Sequence, residues 1–298
     1  MPTRTFDGPP ASLPLYLRAA LPALPVIGLL PGVRHQGEQA PNLTLRRTGV
    51  VIDPEHLARY SEVCGFAHTD RLPATYPQVL AFALHVALMT DTAFPFAPLG
   101  AVHVANSIRV LTPLHSSDLL EITVTPGNLR PHRRGRLIDI LTTVAVDGTV
   151  AWEGVTTLLG RGRDTPDAPI DAAAQALDIA TPVGQITWRL DPGLGRRYAA
   201  ASGDRNPIHL YGLTARAFGF PRQIAHGMWT MAHCLAALQG RIPDTYEVAV
   251  GFRKPILLPG AVQFGSRADR RDTVIGVTSR GGETTHLIGR VAPLPPAR

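Results

Sequence analysis

The chain has few cysteines and few charged residues. Among its 298 residues the cysteines are Cys64 and Cys234, and charged residues make up 17%. A disulfide framework or a zinc site needs more cysteine or histidine ligands at closer spacing, so neither is expected. Each cysteine lies in an apolar, helical surrounding, where a thiol behaves as a small buried hydrophobe. We therefore expect a reduced, cytoplasmic protein without a metal.

Long polar tracts and long uninterrupted apolar runs are also missing. With 45% hydrophobic residues, the chain can bury enough apolar surface to fold throughout, as one large core or as two of about 100–150 residues. Residues 13–30 are apolar, but Arg18 and the prolines Pro14, Pro22 and Pro25 interrupt them. This pattern suits neither a signal peptide nor a membrane span. We predict a short helix and an extended arm there.

The net charge of +6 favours acidic partners, because a positive surface attracts phosphates and carboxylates. Nucleic acid is not indicated, since zinc-finger spacing, an RNP-like aromatic run and a basic helix are all missing and the arginines are scattered. The phosphates of coenzyme A or an acidic carrier protein would satisfy the same charge.

The chain can be laid over itself with a period of about 140 residues. Asp53-Pro54 then falls opposite Asp191-Pro192, and residues 60–65 (YSEVCG) fall opposite residues 198–203 (YAAASG). In both copies a proline-containing loop follows, and then a long apolar stretch and alternating strand-like runs. The sequence therefore predicts two copies of one structural unit.

Each copy is predicted to contain a buried helix followed by four strands. The helices cover residues 78–89 and 226–238, where the apolar character is nearly continuous. Turns such as Asp147-Gly148 separate the strands. The predicted strands are 102–111, 119–125, 137–146 and 151–159 in the first copy, and 246–252, 262–267, 273–278 and 285–291 in the second.

A buried helix wrapped by an antiparallel sheet, occurring twice, is typical of a double hotdog fold of the α+β class, in which two sheets join edge to edge. Periodicity alone does not distinguish it from another α+β repeat. We predict an N-terminal arm over residues 1–40, a first hotdog over 41–160, a linker over 161–182 and a second hotdog over 183–298.

The second copy carries the motif SGDRNPIH at residues 202–209, followed by IAHGM at 224–228. This motif resembles that of the MaoC-like dehydratases and the R-specific type 2 enoyl-CoA hydratases. The two-copy layout over about residues 40–292 resembles the double-hotdog (3R)-hydroxyacyl-thioester dehydratases. One departure is Leu235, where some single-domain relatives have a serine.

The resemblance implies a cofactor-independent hydro-lyase in which Asp204 and His209 hold the water that is added to, or removed from, an acyl thioester. The chemistry also suits these residue types. It needs a group that moves a proton at Cα, help for the hydroxyl to leave, and a donor to the enolate-like oxygen. Which member of the dyad moves the Cα proton stays open.

Neighbouring motif residues have predicted roles in building the site. Asn206 is expected to cap a helical turn that starts at Pro207, and it could equally orient Asp204 or the water. The Gly227 amide, at a helix N-terminus, is the expected oxyanion donor, although a glycine needed only for a tight start of the helix is the alternative. His226 is expected to be structural, and the predicted substrate-binding residues are Ser202, Gly203, Asn206, His226 and Met228.

The first copy lacks the motif: His68 and Asp70 do not follow its order, so this half is predicted to be non-catalytic and to line an acyl pocket. The arginine-rich segment at 130–136 is either a solvated hairpin tip, which we favour, or a phosphate contact. Arg253 and Lys254 are further candidates for phosphate contact.

Three classes of function fit a hotdog with this motif: a dehydratase or hydratase, a thioesterase, and an acyl-thioester-binding protein without turnover. The complete motif favours the first, because hydrolysis requires water aimed at the carbonyl carbon. The expected partner is an acyl-CoA or an acyl carrier protein thioester, and a homodimer of the fused unit is compatible with the sequence.

Overall fold

The computed structural model describes residues 1–10, 37–162 and 165–295. The predicted arm at 13–30 lies outside the described residues. The helices are α1 (Pro54–Cys64), α2 (Tyr76–Met89), α3 (Ala172–Ala176), α4 (Leu194–Ser202), α5 (Pro207–Leu210), α6 (Gly212–Ala217) and α7 (Gly227–Ala237). The strands are β1 (Thr3–Phe6), β2 (Thr44–Val50), β3 (Val102–Val110), β4 (Leu120–Pro126), β5 (Arg130–His132), β6 (Gly135–Val146), β7 (Thr149–Arg161), β8 (Ile186–Leu190), β9 (Tyr246–Phe252), β10 (Gly260–Asp269), β11 (Asp272–Ser279) and β12 (Thr285–Pro293).

The repeat is visible in α1 and α4, which end in the same way. Gly65 after α1 has φ 83° and Gly203 after α4 has φ 77°, the left-handed conformation that glycine adopts without steric cost. The chain also enters the two helices alike, because the Asp53 carboxylate accepts from the Glu55 amide and the Asp191 carboxylate accepts from the Gly193 amide. Equivalent residues thus start and stop equivalent helices.

The two buried helices, α2 and α7, agree with the predicted segments to within two residues. Both are apolar on most sides and pack inside the sheet, where they contribute to one continuous core. The second helix also contacts the first half. The Trp229 indole N–H donates to the Val63 carbonyl at 2.8 Å, and His233 Nδ1 lies 2.7 Å from the carbonyl oxygen of Cys64.

The strands form one sheet in the order β1-β2-β4-β6-β7-β3-β9-β12-β11-β10-β8, with β5 paired to β6. Strands β3 and β9 join the halves antiparallel, from Ala105 opposite Gly251 to Val110 opposite Tyr246. Each half thereby covers the open edge of the other. The α+β double hotdog prediction is confirmed, and all eight predicted strands are present.

Strands β1, β2, β5 and β8 were not expected from the sequence. They lie towards the rims of the sheet or are short, and β2 (TLRRTGV) and β8 (ITWRL) mix arginine and threonine with few apolar residues. Strands at the rim bury less of one face, so their alternation of apolar and polar residues is weak. No helix in the described ranges is long and apolar enough to cross a bilayer.

The prediction of a solvated hairpin tip at residues 130–136 is wrong for two of its arginines. Arg130 lies 2.8 Å from the Asp139 carboxylate and 2.5 Å from that of Asp171, in the predicted linker. Arg136 donates to the carbonyls of Gly37 and Pro95. A half-buried guanidinium needs such partners, whereas Arg133 and Arg134 are exposed.

Both cysteines are buried, as expected. Burial raises the pKa of the Cys64 thiol to about 12 and raises that of Cys234 further, so neither is a ready nucleophile.

Candidate active site

The loop after α4 folds around its own polar side chains. The Asp204 amide donates to Ser202 Oγ at 3.2 Å, and the Asn206 amide donates to Asp204 Oδ1 at 3.1 Å. The Asn206 side chain accepts from the Ile208 amide at 3.4 Å, and Pro207 begins α5, as predicted. These contacts turn the chain so that His209, on α5, comes back towards Asp204.

His209 has a defined tautomer. Its Nδ1 lies 2.8 Å from the Ile224 carbonyl oxygen, which can only accept, so Nδ1 carries the proton and Nε2 keeps a lone pair. The side chain is buried, and burial lowers its pKa, although the nearby Asp204 carboxylate opposes this shift. A neutral imidazole with a free Nε2 is a hydrogen-bond acceptor and a base.

His226 holds the backbone of the motif loop. Its Nε2 donates to the Asp204 carbonyl at 3.0 Å and lies 3.9 Å from Asp204 Oδ2. Its ring stacks on His209, with centroids 3.7 Å apart and an interplanar angle of 23°. Burial holds its pKa well below the usual range. The neutral ring therefore fixes the position of its two neighbours.

Asp204, His209 and His226 bring one potential metal-ligand atom each within 4.8 Å of one another. His226 Nε2, however, already carries a proton, which it donates to the Asp204 carbonyl. An ion bound through this nitrogen would have to break that contact. A water molecule bound between Asp204 and His209 leaves it intact.

Gly227 is the first residue of α7. The first amide of this helix with an acceptor in the preceding turn is that of Thr230, which donates to the His226 carbonyl at 3.1 Å. A Cβ on Gly227 would lie 3.0 Å from Phe252 Cε1, so close packing also favours glycine here. Met228 is half-buried and packs against the core. The geometry accommodates both predicted roles of Gly227.

Residues of the first half also lie beside the motif loop and Phe252, and the sequence reasoning did not identify them. A Cβ on Gly203 would lie 3.6 Å from Phe82 of α2. His103 of β3 meets the edge of Phe252, with centroids 4.8 Å apart. Burial lowers the pKa of His103 to about 4, and the Asp204 carboxylate opposes this shift. Strand β3 (VHVANSIRV) also carries Asn106, Ser107 and Arg109, so His103 had no distinctive signal in the sequence.

The remaining candidates lie around this cluster. Arg253 and Lys254 are exposed and directly follow Phe252, and Arg253 donates to the Leu177 carbonyl at 3.2 Å. In the first half, Asp70 and His68 are exposed, and Asp70 contacts His115 at 3.4 Å. The first-half pair is therefore not part of the dyad cluster.

Comparisons with known proteins show which families and structures this chain resembles. The family model for a MaoC like domain matches residues 174–284. The chain is 40% identical over 250 residues to 3-hydroxyacyl-thioester dehydratase X of Mycobacterium tuberculosis, covering 84% of this chain and 86% of that one. A crystal structure of HtdX from M. tuberculosis superposes with a TM-score of 0.74 at 36% identity, covering 84% of this chain and 100% of that one. A MaoC-like dehydratase from Phytophthora capsici gives a TM-score of 0.69 at 17% identity over 87% and 98% of the two chains.

Proposed function

The chain belongs to the MaoC-like 3-hydroxyacyl-thioester dehydratases, and from this premise we propose that it interconverts (3R)-hydroxyacyl and trans-2-enoyl thioesters through Asp204 and His209. The reaction class is that of a hydro-lyase. The thioester is carried by coenzyme A or by an acyl carrier protein.

One observation carries the proposal: the two side chains of the dyad are both acceptors and lie close together. The Asp204 carboxylate and a ring nitrogen of His209 are within 4.8 Å of each other. His209 Nε2 is unprotonated because Nδ1 donates to the Ile224 carbonyl. One water molecule can donate a hydrogen bond to each of them, which turns its lone pair towards a substrate. Water held in this way is oriented for attack on an acyl β-carbon.

In the hydration direction, the oxygen of this water bonds to Cβ while the dyad takes one of its protons. A proton is returned to Cα, so that water is added across the double bond and no other reactant is consumed. Dehydration reverses these steps. The charge that develops on the thioester oxygen is stabilised by the Gly227 amide at the start of α7.

The two halves have different roles in this proposal. Residues 183–298 supply the motif loop and α7, and residues 41–160 supply pocket wall. Phe82 and His103, which approach Gly203 and Phe252 from the first half, support this division. We further propose that Arg253 and Lys254 bind the phosphates of the carrier group, which their exposure beside Phe252 supports.

The test is to incubate the protein with a trans-2-enoyl-CoA and follow the absorbance of the conjugated double bond together with free thiol. We expect the absorbance to fall without thiol release, and chiral chromatography to identify the (3R)-hydroxyacyl product. Thiol release would identify a thioesterase. Binding without either change would identify an acyl-thioester-binding protein, and a (3S) product would contradict the proposed stereochemistry.

A further inference from the structure

A row of buried polar side chains crosses the interior of the first half. Gln78 and His85 project from α2 and meet residues of the facing sheet. All of these side chains are at least nine-tenths buried, in a half that carries no catalytic motif. The row consists of Gln78, His85, Asn106, Thr142 and Thr156.

Hydrogen bonds connect the row. The Gln78 and Asn106 amide groups both donate to Thr156 Oγ1, at 2.8 Å and 3.1 Å. His85 lies 2.7 Å from Thr142 Oγ1 through Nε2 and 3.4 Å from Gln78 through Nδ1. Because the Gln78 and Asn106 amides donate to the same hydroxyl, their carbonyl oxygens lie in the same part of the interior, around Thr156.

Those two carbonyl oxygens have no donor. Within the part of the chain that the structure describes, Gln78 Oε1 and Asn106 Oδ1 are buried and without a hydrogen-bond partner. A buried acceptor that finds no donor is costly, and two of them on neighbouring side chains are rare in folded proteins. Both atoms can only accept, so a group that satisfies them has to donate.

The row leads to the dyad. Asn106 Nδ2 lies 3.5 Å from His103 Nε2, and the His103 ring meets Phe252, which packs against Gly227. His103 is partly exposed whereas Asn106 is buried, so His103 is the accessible end of the row. An acyl chain that extends from Asp204 into the first half would meet His103 first and the two unpaired carbonyls next.

We propose that His103, Asn106 and Gln78 form a polar subsite that binds a hydroxyl group on the acyl chain beyond the β-carbon. A hydroxyl donates to one of the unpaired carbonyls, whereas a plain hydrocarbon chain leaves both unsatisfied. The enzyme then prefers thioesters with a second, distal hydroxyl over unsubstituted chains of the same length. This inference rests on the proposed function and adds the class of acyl chain.

The experiment compares kcat/KM for hydration of trans-2-decenoyl-CoA with that for derivatives carrying one hydroxyl at successive distal carbons. We expect at least one hydroxylated isomer to be preferred by about 10- to 100-fold, the range that a buried hydrogen bond supports. Asn106→Leu and Gln78→Leu should each reduce this preference, chiefly by accelerating the plain chain.

Thr142→Val is the matched control, because its hydroxyl is equally buried in the row but contacts His85 and neither of the unpaired carbonyls. It should leave the preference ratio unchanged even where it lowers thermal stability. Equal kcat/KM for all chains, or a ratio that survives both leucine variants, would overturn the subsite while leaving the proposed function intact. Hydration of none of the thioesters would instead overturn the proposed function.

Discussion

At the scale of single residues, the candidate site depends on which nitrogen of each histidine carries a proton. Carbonyl oxygens of Ile224 and Asp204 fix the tautomers of His209 and His226, so that His209 presents a lone pair and His226 a donor. The sequence places a histidine at each position, but not the two carbonyls that distinguish their roles. The resemblance of the motif therefore predicts the pair Asp204 and His209, and this stays a prediction, whereas the tautomers required coordinates.

Gly227 can be tested by comparing two variants that both add a side chain. Gly227→Pro removes the amide hydrogen at a position where proline fits a helix, and His226 before it already has the extended conformation that proline demands. Gly227→Ala adds a Cβ against Phe252 but keeps the amide.

If the amide is the oxyanion donor, the proline variant should have a kcat about 10²–10³ lower than that of the alanine variant, measured with an enoyl-CoA. Similar melting temperatures would show that the difference is chemical. Equal turnover of the two variants would assign Gly227 to packing alone.

At the scale of elements, the two halves of the chain make the same local structures from different residues. Helices α1 and α4 end at Gly65 and Gly203, and the sequence repeat predicted this correspondence. The apolar helices and the central strands were equally predictable, because they are buried and their periodicity is strong. The rim strands β2 and β8 were not, because few of their residues face the core.

The two capping glycines provide a matched pair of variants. Alanine at either position would occupy the left-handed region, which costs roughly 1–2 kcal/mol of folding free energy. Gly65→Ala also brings a Cβ to 3.1 Å from His233 Nδ1. Both variants should therefore have lower melting temperatures.

Turnover should distinguish the Gly203→Ala variant from the Gly65→Ala variant. Gly203 directly precedes Asp204, so its alanine variant should also lose kcat/KM by about 10- to 100-fold through displacement of the dyad. Gly65→Ala should retain wild-type turnover at a temperature where it is folded. A Gly203→Ala enzyme as active as Gly65→Ala would mean that the loop position does not depend on this cap.

At the scale of the whole molecule, the joined sheet brings two chemically different interiors together. The seam of β3 and β9 places His103 of the first half beside Phe252 of the second, so that neither half alone encloses the site. Sequence reasoning identified which half carries the motif, but contacts across the seam join residues about 150 positions apart and leave no local pattern. This is why Phe82, His103 and Phe252 were missed.

Two histidines with lowered pKa values, the buried His85 and the partly exposed His103, predict how stability depends on pH. Burial lowers the pKa of His85 to about 3 and that of His103 to about 4, from an ordinary value of 6.5. Below pH 6.5 the unfolded chain therefore binds protons that the folded chain excludes, and stability falls as the pH is lowered towards 4. Above pH 6.5 this contribution is fully present.

Denaturant unfolding between pH 6 and pH 4.5 measures the effect. Each such histidine should contribute a slope of about 1.4 kcal/mol per pH unit, so His85→Gln should flatten the curve by about that amount. The exposed His68→Gln variant is the control and should leave the slope unchanged. A His85→Gln curve parallel to the wild-type curve would show that this ring is protonated in the folded protein.

The central claim is that Asp204 and His209 act as one unit on one water molecule. It is tested most directly by kcat for enoyl-CoA hydration in Asp204→Asn, His209→Ala and the double variant, each shown to be folded by circular dichroism. Each single change should lower kcat by about 10²–10⁴-fold, and the double variant should be no slower than the slower single one. Near wild-type turnover in either single variant, or losses that multiply in the double variant, would contradict the account.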